Sequence, residues 1–272
     1  MRFRRSGALA VALALAGAAG ASPSHAAEPA SPTAGLTIDR LEWSGAAAPS
    51  AAVVVENDYG DIRARTSPDG TVSVTTVVQR LDSAGEKLAL SVERAGGSLV
   101  VRVAYPPLAA PDPETRAKRE RRDRADLVIF VPEGLAIEAR TAMGEIQAEE
   151  LECDLDAATE SGRIRVSSRR SVRARTTSGA IFLALAEPEW NRDMVVESDT
   201  GAVSVELPAA ANLDIRAATR GRIETSYPAK VESREGVNRA TFRVGRGGNV
   251  LAVRSTSGAL RIVGMPAMKE GR

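Results

Sequence analysis

The chain is poor in the side chains on which most enzymes depend. Its only histidine is His25 and its only cysteine is Cys153; lysine occurs at Lys87, Lys118, Lys230 and Lys269 alone, and aromatic residues make up 3% of the 272 positions. His25 falls in an N-terminal stretch that reads as a cleaved leader, so the remaining chain has no imidazole. That excludes His-dependent triads, His-ligated zinc or haem, and imidazole acid–base chemistry. One cysteine excludes an internal disulfide. None of the lysines sits in a motif that would support a Ser–Lys nucleophile pair. After the leader there is no apolar run near the roughly 20 residues that a membrane-spanning helix needs.

The leader itself has a recognisable plan. Arg2, Arg4 and Arg5 precede an alanine-rich apolar run over about residues 8–21, and Ser24 and Ala26 supply small residues for a peptidase. A signal peptide over residues 1–26 follows, with cleavage after Ala26 or Ala27 and export to the periplasm, the cell surface or the medium. No cysteine follows the run, which argues against a lipoprotein anchor. Cleavage removes three of the 36 basic residues and none of the 35 acidic ones, leaving a net charge of −2. Interspersed charge of both signs near neutrality argues against a nucleic-acid groove or a polybasic membrane patch.

A Pro/Ala/Ser-rich linker over residues 27–35 leads into alternating, β-branched segments at residues 36–43, 51–55, 62–65, 71–81, 88–93 and 98–105. These read as strands, some of them paired in hairpins across turn residues such as Gly96-Gly97. Residues 106–126 break the pattern, opening Pro-rich and then carrying six basic and five acidic side chains over residues 112–126. A solvated excursion or short charged helix is the simpler reading. The other is a binding loop for an anionic partner, built from Arg116, Arg119, Arg121, Arg122 and Arg124.

From Leu127 onward one short device repeats: a hydroxyl residue, two turn positions, a glycine, then an alternating strand. It occurs as TAMGEIQA (residues 141–148), TESGRIRV (159–166), TTSGAIFL (176–183), SDTGAVSV (198–205) and STSGALRI (255–262), with degenerate copies at residues 57–64 and 219–225. Gly144, Gly162, Gly179, Gly201 and Gly221 are spaced by 18, 17, 22 and 20 residues; Gly258 follows after 37, which fits two periods, and Gly60 heads the first copy. A period near 20 marks stacked supersecondary units. The alternation places Leu151, Cys153, Leu155, Ile164, Val166, Ile181, Val205 and Ile215 on an inner face, with Asp154, Asp156, Arg163 and Arg165 outside. No unit buries its apolar face alone, so the pattern predicts an all-β fold: a single-domain parallel β-solenoid over residues 36–263 with rungs of about 20 residues. Glycine at the corner is expected to supply φ > 0, with the preceding Thr or Ser bonding the turn backbone. Flank loops are expected at residues 186–193 and 227–248, and the N-terminal strands and the 264–272 tail are expected to cap the two open ends.

The ADLVIFVPEG and LAIEARTAMGEI segments, followed by serial S/T-x-S-G-x-I/V units, resemble the bacterial putative adhesin domain of unknown function, a secreted or envelope-facing β-solenoid family. The resemblance covers about residues 51–263. It implies a parallel β-solenoid at the cell surface or in the periplasm, often encoded beside envelope-stress regulators, and it implies no catalytic residues. The insertion at residues 106–126 and the loop at 227–248 depart from it.

Candidate chemistry is sparse. Outward acids Glu145, Glu152, Asp154 and Asp156 could form the acid–base pair of a glycosidase, but Arg163, Arg165, Arg173 and Arg175 follow on the next rungs, and cross-rung ion pairing is the better reading. Asp58 with Asp61, or Asp199, supplies too few oxygens for calcium. Of the scattered aromatics Tyr59, Phe182, Trp190, Tyr227 and Phe242, the loop residues Trp190 and Tyr227 are the candidate ligand contacts, the alternative being lids over an apolar edge. Cys153 has the inward phase of an inert buried thiol. The expectation is an exported non-enzymatic binding, adhesion or scaffold module of the envelope, without cofactor or metal, whose partner is an envelope protein or a surface glycan. The alternatives are a protein-binding part of an envelope-stress system and a carbohydrate-active β-helix enzyme.

Overall fold

The computed structural model describes residues 35–46, 52–81, 88–106, 114 and 123–265. The signal peptide, nearly all of the linker, Arg116, Arg119, Arg121, Arg122 and most of the 264–272 tail lie outside the described residues. The chain is all-β. Its strands are β1 (Thr37–Gly45), β2 (Ala52–Tyr59), β3 (Ile62–Thr66), β4 (Val72–Arg80), β5 (Ala89–Ala95), β6 (Ser98–Ala104) and β7 (Asp123–Val131). The repeat region adds β8 (Ala136–Met143), β9 (Ile146–Leu151), β10 (Asp154–Ser161), β11 (Ile164–Ser168), β12 (Val172–Ser178), β13 (Ile181–Leu185), β14 (Met194–Ser198) and β15 (Val203–Leu207). It ends with β16 (Leu213–Thr219), β17 (Ile223–Thr225), β18 (Val231–Arg234), β19 (Val237–Val244), β20 (Val250–Ser255) and β21 (Leu260–Gly264).

Two sheets share one core. Sheet A has ten strands in the order β1-β4-β7-β3-β9-β11-β13-β15-β21-β17, and sheet B has eleven in the order β18-β19-β16-β20-β14-β12-β10-β8-β2-β6-β5. Neither closes into a barrel. Each repeat sends one strand to sheet B, turns at its glycine, and sends the next to sheet A, so β8/β9, β10/β11, β12/β13 and β14/β15 stack in parallel. Inward residues of both sheets, including Leu151, Leu155, Ile164, Val196 and Ile215, are completely buried in one continuous cluster with Cys153. Period-2 alternation makes this the only way to hide the apolar faces.

The ends depart from the expected wholly parallel stack, so the sheets are mixed. β4 pairs antiparallel with both β1 and β7, β5 pairs antiparallel with β6, and β19 pairs antiparallel with β16 and β18. The order of levels also differs from the order of the chain. The pair β20/β21 lies between β14/β15 and β16/β17, and β6 and β7 lie outside β2 and β3. The 37-residue glycine spacing therefore does not hold two successive rungs. It holds the β18–β19 hairpin, which covers β16, followed by a return of the chain to β16's other side. Among the described residues that hairpin ends sheet B at this side, the expected cap from the 264–272 tail lies almost wholly outside them, and part of the expected loop at 227–248 is strand. At the opposite end β2 is interior, and β1 and β5 are the edges. The expected excursion at 106–126 likewise yields its last residues to β7, since Arg124 is a strand residue.

The corner glycines have a different cause from the one expected. Of the seven, only Gly60 has a positive φ, 125°. At Gly144, Gly162, Gly179, Gly201, Gly221 and Gly258 an added Cβ would meet the carbonyl oxygen of the glycine on the adjacent level at under 3.0 Å. Glycine is required because backbones of successive levels approach too closely for a side chain. Each of those carbonyls is bonded by a buried side chain one level along: Thr141 Oγ1 donates to Gly60 O (3.1 Å), Thr159 to Gly144 O (3.2 Å), Thr176 to Gly162 O (3.2 Å) and Ser198 to Gly179 O (3.0 Å). The ladder then follows space and not sequence: Ser255 donates to Gly201 O (3.0 Å) and Thr219 to Gly258 O (2.6 Å). Asn57 Nδ2, on Ala125 O (2.8 Å), and Asn238 Nδ2, on Gly221 O (2.7 Å), close its two ends. Thr176→Val should leave the buried Gly162 carbonyl without a side-chain donor and cost about 1–3 kcal/mol by chemical denaturation, whereas Thr176→Ser, which keeps the hydroxyl, should cost well under that.

Candidate functional site

Because both sheets are fully paired through their middle, recognition on their faces depends on the outward side chains. On sheet B one row across the strands reads Arg102, Glu56, Arg140, Ala158, Arg175, Glu197, Arg254. The row is knitted by ion pairs. Arg102 pairs with Glu56, Arg175 with Glu197 at 3.3 Å, Arg254 with Glu197 at 2.8 Å, and Arg140 reaches Glu138 in the neighbouring row at 2.9 Å. Such exposed pairs are worth about 0–1 kcal/mol each, so their effect is to hold the guanidinium groups in place more than to stabilise the fold. Where the row reaches Ala158 it drops to a methyl group. The result is an open trough of about 580 Å³, walled by Arg140 and Arg175 and bordered by Glu56, Glu160 and Glu197.

On sheet A the corresponding face carries an exposed aromatic. Phe182 alternates outward between buried Ile181 and Leu183 and is 41% exposed. The guanidinium of Arg165, its register partner on β11, lies 5.5 Å from the ring centroid, and that of Arg163 lies 6.0 Å away. Cation–π contacts at exposed positions are worth about 0.5–1 kcal/mol. Beside the ring is a trough of about 330 Å³ whose lining includes Glu149, Ser167, Ala184 and Glu206.

The sequence-predicted ligand contacts are placed elsewhere. Trp190 is 9% exposed and belongs to the core, with its carbonyl bonded by Asn249. Tyr227 stacks on Phe242 with centroids 6.0 Å apart and packs against the core, and desolvation raises its pKa. Neither lines either of the two troughs. Arg124 is engaged with Asp126 (2.7 Å) and Asp61 (3.2 Å) on the sheet A corner. Phe182, weighed among the scattered aromatics and passed over, is the exposed one; its outward phase in IFLAL was the available signal.

Of the four acids weighed as a glycosidase pair, Glu152 and Asp154 border one open pocket beside Arg170. Glu145 and Glu152 flank the opposite ends of β9, about 20 Å apart by strand rise. Asp154 pairs with Arg192 (3.3 Å), Asp156 with Arg173 (3.7 Å) and Glu152 with Arg169 (3.9 Å). The expected partners Arg163 and Arg165 are on Phe182 instead. Asp61, weighed for calcium, accepts the Glu145 N–H at 2.9 Å. Cys153 is fully buried beside the Pro132 carbonyl (3.1 Å), and burial pushes its thiol up to about 11. A thiol with so little thiolate at pH 8 should resist a maleimide in the folded chain and react at once in denaturant; labelling at equal rates in both states would contradict this.

No protein-family model matches the chain, and no curated protein matches it. Solved structures do. A putative cell adhesion protein from Clostridium sporogenes aligns with a TM-score of 0.50 at 14% identity, over 84% of this chain and 100% of that one. Putative adhesins from Bacteroides fragilis (TM-score 0.32, 8% identity, 84% and 97% coverage) and Parabacteroides distasonis (TM-score 0.27, 9% identity, 84% and 97% coverage) also align, too loosely to carry an argument. Among the described residues no helix is long and apolar enough to cross a membrane. What the comparisons establish is the fold: an all-β architecture shared with a putative bacterial cell adhesion protein.

Proposed function

We propose that this chain is an exported, non-enzymatic β-solenoid that serves as a binding, adhesion or scaffold module of the bacterial cell envelope. The observation that carries this reading is the trough over Ala158. It is open and spans strands β2 to β14, and its two arginines are already paired with carboxylates. A site of that shape suits an extended polymer lying along the stack, with polar contacts from fixed side chains. It offers no enclosed space in which a reacting bond could be desolvated. The leader-like segment at residues 1–26 supports export, and the likeness to a putative cell adhesion protein is consistent with the role.

The test is an array of surface glycans, cell-wall polymers and envelope proteins, each also incubated overnight and checked for products. The expected result is selective retention without cleavage. Filling the trough by Ala158→Trp should weaken retention at least tenfold while moving stability by no more than about 0.5 kcal/mol, as for other outward strand positions. Product release would establish the carbohydrate-active reading instead.

A further inference from the structure

We propose that sheet A carries a second, separate binding site, a stacking subsite for a neutral pyranose ring, with Phe182 as its platform. The proposal goes beyond the trough on sheet B, since it stands on the opposite sheet and shares no residue with it.

Two neighbouring rows on sheet A build the site. In one, Ser167, Ala184 and Glu206 are register partners, and Glu149, at the irregularity where β9 meets β11, closes the other end. Two small side chains thus lie between two carboxylates, and the floor is low where the ends are tall. In the other row Arg165, Phe182 and Ser204 stand side by side. Phe182 therefore forms one wall of the 330 Å³ trough, its ring held from the β11 side by the guanidinium groups of Arg165 and Arg163 and still 41% exposed. The aromatic face carries partial negative charge, which suits the polarised C–H groups on the apolar side of a sugar ring. Hydroxyl groups at the ring's rim would meet Glu206, Ser167 and Ser204 as acceptors or donors, and Arg165 as a donor.

Charge and spacing select the ligand class. Glu149 is paired with Arg65, Arg163 and Arg165 lie over the ring, and Glu206 stands at the β15 end, so charge of both signs borders the trough, which fits a ring without net charge. An extended pyranose chain advances by close to one strand spacing per residue, so its sugars fall in step with the levels of the stack. The two carboxylates are three strands apart, about 14 Å. Glycoside hydrolysis requires its two carboxyl groups at about 5–9.5 Å, so this pair can orient a sugar and cannot cleave beside it.

Titration of the purified chain with cellohexaose, chitohexaose, hexagalacturonate and a thymidine hexanucleotide tests the proposal. The expected result is saturable binding of a neutral hexasaccharide in preference to both anions. Phe182→Ala should weaken it at least tenfold, Phe182→Trp should retain it, and Glu206→Gln should weaken it severalfold. All three substitutions lie on the outer face, and unchanged melting temperatures would confirm that the fold is intact. Three outcomes overturn the subsite: no neutral hexasaccharide binds, binding survives Phe182→Ala, or an anionic probe is preferred. If polymers bind and respond only to Ala158→Trp, the subsite is wrong and the envelope-binding reading stands. If the neutral hexasaccharides bind through Phe182 but are cleaved, the non-enzymatic reading fails and the subsite stands.

Discussion

Gly162→Ala is expected to lower the stability of the chain by about 3 kcal/mol or more, at or beyond the upper end of what overpacking a well-packed interior costs. At about 2–4 °C per kcal/mol for a chain of this size, the melting temperature should fall by roughly 6–12 °C. The cause is steric. A methyl group at Gly162 would sit on the Gly144 carbonyl, the same carbonyl that Thr159 bonds, while Thr176 bonds the Gly162 carbonyl on the other side. Relief by separating the levels would stretch these bonds and the ladder bonds beside them. Gly96 is the matched control, because it has a positive φ of 58° and open space around its Cβ position. Gly96→Ala should therefore cost only the left-handed backbone strain, about 1 kcal/mol. If the two substitutions cost the same, backbone conformation and not close approach explains the corner glycines.

A chain ending at Gly248 is expected to lose cooperative folding altogether. In a stack built in sequence order, such a deletion removes a terminal unit, and the rest melts a little earlier. Here β20 lies between β14 and β16, and β21 between β15 and β17, so the deletion opens both sheets in their interior. It also removes Leu251, Val253, Leu260 and Ile262, all fully buried, at about 1.5–3 kcal/mol each. Together these are of the order of the whole net stability of a domain, about 5–15 kcal/mol. The shortened chain should show no sharp thermal transition and should aggregate through its opened strand edges. A sharp transition only a few degrees below that of the full chain would contradict the interleaved order. Ladder bonds from Ser255 to Gly201 and from Thr219 to Gly258 would be lost at the same stroke.

Much of the architecture was legible because alternation is a strong local signal. The strands read at residues 62–65, 71–81 and 98–105 correspond to β3, β4 and β6 within a residue or two, and the inward phase assigned to Leu155, Ile164 and Val205 is the one observed. Alternation reports which face a residue takes and says nothing about which strand lies beside it. Nothing local in LAVRSTSGALRI therefore distinguishes a rung that follows β16/β17 from one that slips in front of it. The corner glycines were located correctly, and the expected turn bond from the preceding hydroxyl is present at Ser198 and Ser255; positive φ holds at Gly60 alone, and the close approach that requires the others was not foreseen, since a backbone-to-backbone contact made between levels leaves no separate trace in the sequence of one level. The site residues were hardest. Trp190 sits in a loop of polar residues, so its burial depends on tertiary packing; Phe182 sits in an apolar run, where its outward phase is easily read as core. The arginines Arg163 and Arg165 were assigned to carboxylates by sign alone, whereas the register places them beside the ring.

The Glu197–Arg254 pair and the Ser255–Gly201 bond depend on the neighbours that the interleaved order creates, and paired cysteines report those neighbours directly. With Cys153 replaced by Ala, Ser204→Cys combined with Arg261→Cys places thiols on register partners of adjacent strands β15 and β21, within disulfide reach of one another. Ser204→Cys combined with Glu224→Cys places them with β21 in between. Mild oxidation should close a disulfide in the first pair and leave the second as free thiols. A disulfide in the second pair and not in the first would show that β17 lies beside β15, and would overturn the interleaved order of levels.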